Sequence, residues 1–349
     1  MLAEELALNK KEWKAMSDKE LSDYKNKIFN FYRDNGFPYY PIDNEYKKAQ
    51  FNRLKKTNFN EIGEDKFLKQ FMVGLNLAWC YFPHAFSVKC NDLLSPKEVF
   101  DNDELFKKVI NKRIKHGDNM SDSGIRKTLR VFTGAQGVSN FRPTVATYLY
   151  NKYAKDGVVW DMSCGFGGRL LGFMVSDAQK YIGTEPCELT YNGLLQLKED
   201  YQNLFSDSDE ISLFGEEPLK EIKINKMGSE EYLPKKESLD FCFTSPPYFD
   251  TEKYSNEDNQ SYKKYPTKED WLNGFLRKTF ENCFYGLKKG KYMAINIANV
   301  KSFPDLEKET IKIAKKVGFK HEDTLYYLLS SLSKGKKYKK EPVFIFRKE

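Results

Sequence analysis

Residues 158–170 read VVWDMSCGFGGRL, an apolar run that ends on Asp161 and is followed by three glycines within four positions. Val, Val and Trp favour a strand, and the glycines favour a tight turn whose backbone takes positive φ and approaches a ligand closely. The continuation GGRLLGFMVSDA predicts a helix. The spacing is not the dinucleotide fingerprint, because GFGGRL lacks G-x-G-x-x-G. A glycine-rich turn of this kind also serves simply to connect strand to helix, and both readings stay open here.

Working outward, a helix (FRPTVATYLYNKYAKDG, from Phe141) precedes this strand. After it come a short strand KYIGTEP, a helix CELTYNGLLQLKEDYQNLF, a strand near EIKINKMG and the apolar run SLDFCF. The turn TSPPYFD follows, then a helix from Thr267, the strand KYMAINIANV, a helix DLEKETIKIAKKVGFK and two closing strands, DTLYYLLS and PVFIFRK. Strands alternating with helices at this rhythm predict an α/β fold with a mostly parallel, seven-stranded sheet. The last two strands are joined by SLSKGKKYKKE, too short for a helical crossover, so they form an antiparallel C-terminal hairpin.

Residues 1 to about 135 read as mainly helical. Ser17-Asp-Lys-Glu20 and Ser95-Pro-Lys-Glu98 are capping-box patterns. FLKQFMVGLNLAWCYF, from Phe67, predicts the core helix of this region. The boundary is placed so that residues 1–136 form an accessory region and residues 137–349 a catalytic domain.

Bulk composition narrows the class. The 349 residues carry 40% hydrophobic residues, enough for a real core. No apolar run approaches the roughly 20 residues of a membrane span, and the first residues lack a signal-peptide pattern, so a cytoplasmic address is expected. Six cysteines without CxxC spacing and three scattered histidines indicate neither a disulfide framework nor a metal site. The net charge of +7 is mild support for a polyanionic partner.

In an open parallel sheet, ligands bind beyond the carboxyl ends of the strands, so the strand-to-helix turns form one rim. At the first turn, Asp161 can accept hydrogen bonds from an ammonium or hydroxyl group. At the second, Glu185 can accept both hydroxyls of a ribose, or be a solvent-facing carboxylate. At the third, Ser229 or Glu230 can lie beside an adenine ring. The fourth, Thr244-Ser-Pro-Pro-Tyr-Phe-Asp250, either ends a strand or does chemistry. Pro246 and Pro247 fix the backbone and remove two N–H donors, leaving carbonyls aimed at one point beside the Ser245 hydroxyl, with Tyr248 able to stack on a flat base.

The DMSCGFGG turn followed by TSPPY resembles the amino-methylating DNA methyltransferases that use S-adenosyl-L-methionine, over roughly residues 137–349. That resemblance implies a Rossmann-like methyltransferase fold in which Asp161, Ser163, Gly165 and Gly167 line the cofactor and Glu185 holds its ribose. It further implies that Phe141 and Arg142, after Asn140, contact its methionine end, and that Ser245, Pro246, Pro247 and Tyr248 grip the target base. Ser229 stands where the family commonly has Asp. The Ser-Pro-Pro-Tyr form favours cytosine N4 over adenine N6.

The expected reaction is in-line transfer without a covalent enzyme intermediate, on a base flipped out of double-stranded DNA. Carbon-5 methylation would need a thiol on the fourth turn, whereas the Pro186-Cys187 pair lies on the second. Phe249 and the lysines Lys334, Lys336, Lys337, Lys339 and Lys340 of the hairpin loop are expected to meet the nucleic acid, unless that loop is simply a solvated tip. A cognate restriction enzyme is a possible partner. The competing readings are methylation of RNA or of a protein amide, and a non-catalytic DNA-binding protein that retains the fold.

Overall fold

The computed structural model describes residues 2–116, 119–205, 219–331 and 338–349. Its contacts divide into two compact units. One comprises residues 1–40, 83–139 and 252–254; the other comprises 41–82, 140–251 and 255–349. The change at 139/140 lies close to the boundary read from the sequence, but residues 41–82 cluster with the sheet and not with the other helices.

The sheet unit is built on seven strands: β1 (Val158–Asp161), β2 (Lys180–Thr184), β3 (Glu221–Asn225), β4 (Leu239–Thr244), β5 (Leu287–Asn296), β6 (Phe319–Ser331) and β7 (Tyr338–Lys348). They lie in the order 3-2-1-4-5-7-6, with β7 antiparallel to both neighbours and the other pairings parallel. Two further strands of two residues, Gly63–Glu64 and Phe67–Leu68, extend the sheet beyond β6, so it has nine strands where seven were expected. This order and the single reversed strand define the Rossmann-like methyltransferase fold.

The inner strands β1, β2 and β4 are buried on both faces and so lack alternation, whereas β3 at the edge alternates exposed Glu221 and Lys223 with buried Ile222 and Ile224. Along β4, Phe241 and Phe243 turn one way, into an aromatic layer with Tyr150. Cys242 turns the other way, into a core that holds Trp160, Trp271, Met293, Phe303 and Phe344. Burying each such large side chain contributes about 1.5–3 kcal/mol, so the sheet is the rigid base on which the rim stands.

Three local expectations change. The segment from Phe67 is not one helix: Gly74, at φ 86°, caps a helix that starts only at Leu75, while Phe67 and Leu68 form a short strand between β6 and Gly63–Glu64. The helix from Thr267 does begin with a Thr267 side-chain cap, but it passes through a π segment (Trp271–Arg277) and ends at Gly286. Consequently β5 starts at Leu287, four residues before the strand the sequence suggested.

The other unit is helical, as read. Its helices Asp18–Asn35, Pro96–Asp101, Asp103–His116 and Asp122–Arg130 enclose Ile28, Tyr32, Phe106, Ile110, Ile125 and Leu129. Both predicted capping boxes form, at Ser17 and Ser95. Helix 122–130 is held from all sides: Arg126 donates to the Pro38 carbonyl at 2.8 Å and lies over the Tyr40 ring, leaving only Ser123 and Lys127 exposed.

Candidate functional site

β1 and β4 are parallel neighbours in which Asp161 pairs with Phe243, so the glycine turn and the Ser-Pro-Pro-Tyr turn leave the same rim side by side. The Thr244 hydroxyl lies 3.5 Å from the Ser163 carbonyl, directly linking the two. This adjacency is a property of the strand order, since some 80 residues separate the turns in sequence.

In the first turn Gly165 and Gly167 take φ of 54° and 69°, conformations that L side chains rarely adopt. A Cβ on Gly165 would meet nothing nearer than the Ser163 carbonyl oxygen at 3.9 Å, so this glycine borders open space. Gly168 serves packing: a Cβ there would overlap the Phe141 carbonyl oxygen. The Asn140 amide also donates to the Phe166 carbonyl at 2.8 Å, fixing residues 140–142 against the turn. Arg142 donates to the Asn140 carbonyl at 2.5 Å and keeps a buried Nε without a partner.

Asp161 differs from its expected role. It is fully buried, and its two oxygens receive Arg169 Nε at 3.0 and 2.9 Å, the Tyr181 hydroxyl at 2.8 Å and the Ser163 N–H at 3.3 Å. With so many donors, the carboxylate holds the turn from beneath and has no edge facing the rim. Arg169 also donates to the Ser163 carbonyl, completing a buried bracket. The beneath-turn thiol of Cys164 is pushed up in pKa by burial and is chemically quiet.

Glu185 stands at the end of β2 with one oxygen accepting from Gly165 N–H and the other from Cys187 N–H, each at 3.0 Å. Burial raises its pKa to about 7, although both backbone hydrogen bonds pull the other way. Each oxygen retains a lone pair, so the carboxylate can accept two further hydrogen bonds.

At the third turn the two candidates separate. Ser229 is buried and its hydroxyl lies 2.8 Å from that of Thr279, so it is turned into the packing and away from the rim. Glu230 binds Lys264 at 2.5 Å through Oε1, while its buried Oε2 has no partner. The loop after the fourth turn spans this region. Glu257 accepts from Glu188 N–H at 3.2 and 3.1 Å, and Asn259 donates to the Pro186 carbonyl at 2.8 Å. Lys264 reaches Glu230 and Glu231, so residues 257–264 run from the second turn to the third.

At the fourth turn Ser245, Pro247 and Tyr248 are half-buried and Pro246 is buried. The Tyr248 hydroxyl lies 3.3 Å from the Asn296 carbonyl and is hydrogen-bonded with the Glu341 carboxyl group. Phe249 is a correction: it takes φ 58° and sinks into the core, 7% exposed, with its ring centroid 6.1 Å from those of both Trp271 and Phe303. The strained backbone turns this ring inward, so it presents no face to a nucleic acid. The next two residues, Asp250 and Thr251, each leave a buried side-chain oxygen without a partner.

Glu341 was missed by sequence reasoning. It follows a run of lysines and looks like an ordinary solvated acid, yet the antiparallel direction of β7 brings it opposite Tyr327, at the rim. Burial raises its pKa, while nearby Lys339 and Arg142 and hydrogen bonds with Tyr248 and Asn296 oppose the shift. Of the hairpin lysines, Lys339 and Lys340 are exposed; Lys334, Lys336 and Lys337 lie outside the described residues.

Among the described residues no group of three or more His, Cys, Asp or Glu is placed to hold a metal ion, and no helix is long and apolar enough to cross a membrane.

No protein-family model and no curated protein matches the chain. Among solved structures it is similar to a SAM-dependent methyltransferase of Methanosarcina mazei, with 12% identity, 57% of this chain and 96% of that one covered, and a TM-score of 0.38. It is also similar to the 1,6-didemethyltoxoflavin-N1-methyltransferase of Burkholderia thailandensis, with 11% identity, 58% and 76% covered, and a TM-score of 0.37. A third is the [4+2]-cyclase SpnF, with 10% identity, 54% and 62% covered, and a TM-score of 0.36. Likeness this distant says nothing about the reaction, which has to be argued from the chain's own residues.

Proposed function

We propose that this protein is an S-adenosyl-L-methionine-dependent methyltransferase acting on the exocyclic amine of a base in DNA, with cytosine N4 favoured over adenine N6. The observation that carries the reading is the pairing of Asp161 with Phe243, which sets the open glycine turn beside the Ser-Pro-Pro-Tyr turn.

The residues present fit the cofactor. Glu185 has lone pairs for two ribose hydroxyls, the unpartnered Glu230 Oε2 suits the amine of an adenine, and Gly165 borders open space between the turns. Arg142, with its unpartnered Nε, suits a carboxylate. Asp161 and Ser229 have no part in this binding beyond supporting the turns. When bound, the cofactor supplies a methyl carbon already activated by a sulfonium centre.

The chain's own contribution is alignment. Two prolines leave the Pro246 carbonyl free to accept a hydrogen bond from the target amine, and the Ser245 hydroxyl accepts a second, which localises the nitrogen lone pair. Tyr248 provides the stacking face, its hydroxyl tethered at Asn296 and Glu341. Extruding the base costs a few kcal/mol, recovered through stacking and these hydrogen bonds. The helical unit supplies sequence recognition in this reading; its helix 103–116 exposes Lys107, Lys108 and Lys115.

The test is mass spectrometry of nucleosides from DNA of cells expressing the protein, against a Ser245→Ala/Tyr248→Ala variant. Asp161→Ala is unsuitable as a control, because it would strip a buried arginine of its partner. Methylcytosine modified at N4, present with the wild type and absent with the variant, is expected. Label transferred from the cofactor to RNA or protein, with DNA unmodified, would replace DNA as the substrate.

A further inference from the structure

We propose that Phe67, Tyr326 and Lys340 form a stacking platform for an unpaired nucleobase next to the one being modified. This rests on the nucleic-acid reading above and extends it to a surface outside the catalytic turns.

The platform exists because the short strand Phe67–Leu68 adds to the edge of β6, pairing Phe67 with Tyr326 in parallel register. The Tyr326 N–H donates to the Lys66 carbonyl at 2.7 Å, and Lys66 pairs with Asp323 at 2.6 Å, so this edge is fastened at two points. Phe67 and Tyr326 remain 36% and 37% exposed, with ring centroids 6.0 Å apart. Phe67 lies one strand in from the sheet edge, opposite Glu64, whose carboxylate is held by Lys69 at 2.5 Å, and both rings stay partly exposed there.

Lys340 crosses to them from β7. Its ammonium lies 4.7 Å from the Phe67 centroid and 5.6 Å from that of Tyr326, and it has no carboxylate partner among the described residues. A free cation over two exposed rings combines the two elements of single-strand recognition, a π-face for any base and a charge for the adjoining phosphate. An arriving base displaces the ammonium from the rings, and the long flexible stem lets it swing to the phosphate.

Position links the platform to the chemistry. Lys340 immediately precedes Glu341, whose carboxyl group is hydrogen-bonded with Tyr248. Tyr326 likewise precedes Tyr327, the β6 partner of Glu341. Alternation sends Tyr326 and Lys340 to one side of the strands while Tyr327 and Glu341 take the other, so neighbouring nucleotides can be held on either side of one strand pair.

The test is fluorescence anisotropy of the full chain with a labelled single-stranded DNA 20-mer of mixed sequence, over a salt series, with calorimetric binding of S-adenosylhomocysteine as the check on folding. Phe67→Ala/Tyr326→Ala should weaken oligonucleotide binding at least about fivefold and leave the salt slope unchanged. Lys340→Ala should reduce the slope of log K against log salt by about 0.7, and Lys340→Arg should restore it. Cofactor-product affinity should be the same in all variants. Wild-type affinity and salt slope in both alanine variants would overturn the platform while leaving the nucleic-acid reading intact. A wild type that binds S-adenosylhomocysteine but neither single-stranded nor duplex DNA would overturn both.

Discussion

If Glu185 grips the cofactor ribose, binding must depend on pH in a range where most carboxylates are silent. Its carboxyl is raised from 4.5 to about 7 because burial penalises the charge more than the Gly165 and Cys187 N–H groups favour it. Accepting two hydroxyls requires the ionised form, so a proton must leave on binding wherever the free protein is protonated. With a pKa of about 7, the ionised fraction is about 0.1 at pH 6 and about 0.9 at pH 8. The sign is therefore fixed: affinity for S-adenosylhomocysteine rises with pH, by about tenfold between 6 and 8. Isothermal calorimetry in two buffers of different ionisation enthalpy reads both this change and roughly half a proton released at pH 7. Glu185→Gln should flatten the profile and weaken binding by roughly ten- to hundredfold at pH 8, since a charged acceptor is lost and its amide opposes a backbone N–H. Affinity independent of pH from 6 to 8, with no proton released, would refute the placement of the ribose at Glu185.

Arg169→Met should destabilise the protein by about 3–5 kcal/mol in urea unfolding, because it leaves the fully buried Asp161 charge uncompensated. Adding Asp161→Asn should recover a large part of that loss. Gly168→Ala should cost about 1–3 kcal/mol by the same measurement, since the added methyl group would overlap the Phe141 carbonyl oxygen and push residues 140–142 off the turn. Glu230→Gln, which weakens the Lys264 pair, should reduce affinity for S-adenosylhomocysteine more than affinity for homocysteine alone, because only the former carries an adenine.

The alternation of strands and helices, the reversed last strand and the two turns at Gly165 and Pro246 were all legible in the chain. Each rests on local backbone preference: β-branched and aromatic runs, capping side chains at Ser17, Ser95 and Thr267, glycines with positive φ, and prolines that stop a ladder. The strand order was decided by tertiary packing, because it depends on which buried faces meet across the sheet. So was the fate of individual side chains. Asp161 read as a ligand contact, yet Arg169 on the following helix and Tyr181 on the neighbouring strand surround it. Phe249 read as an exposed ring, but a single positive φ turned it inward. Glu341 and Phe67 gave no local sign of their positions, since the hairpin's reversal does not by itself say which residue of β7 comes opposite Tyr327, and nothing nearby in sequence says that residues 67–68 join the sheet beside β6. A sequence specifies its own bends and periodicities; which distant groups share a desolvated space is known only once the strands have chosen their neighbours.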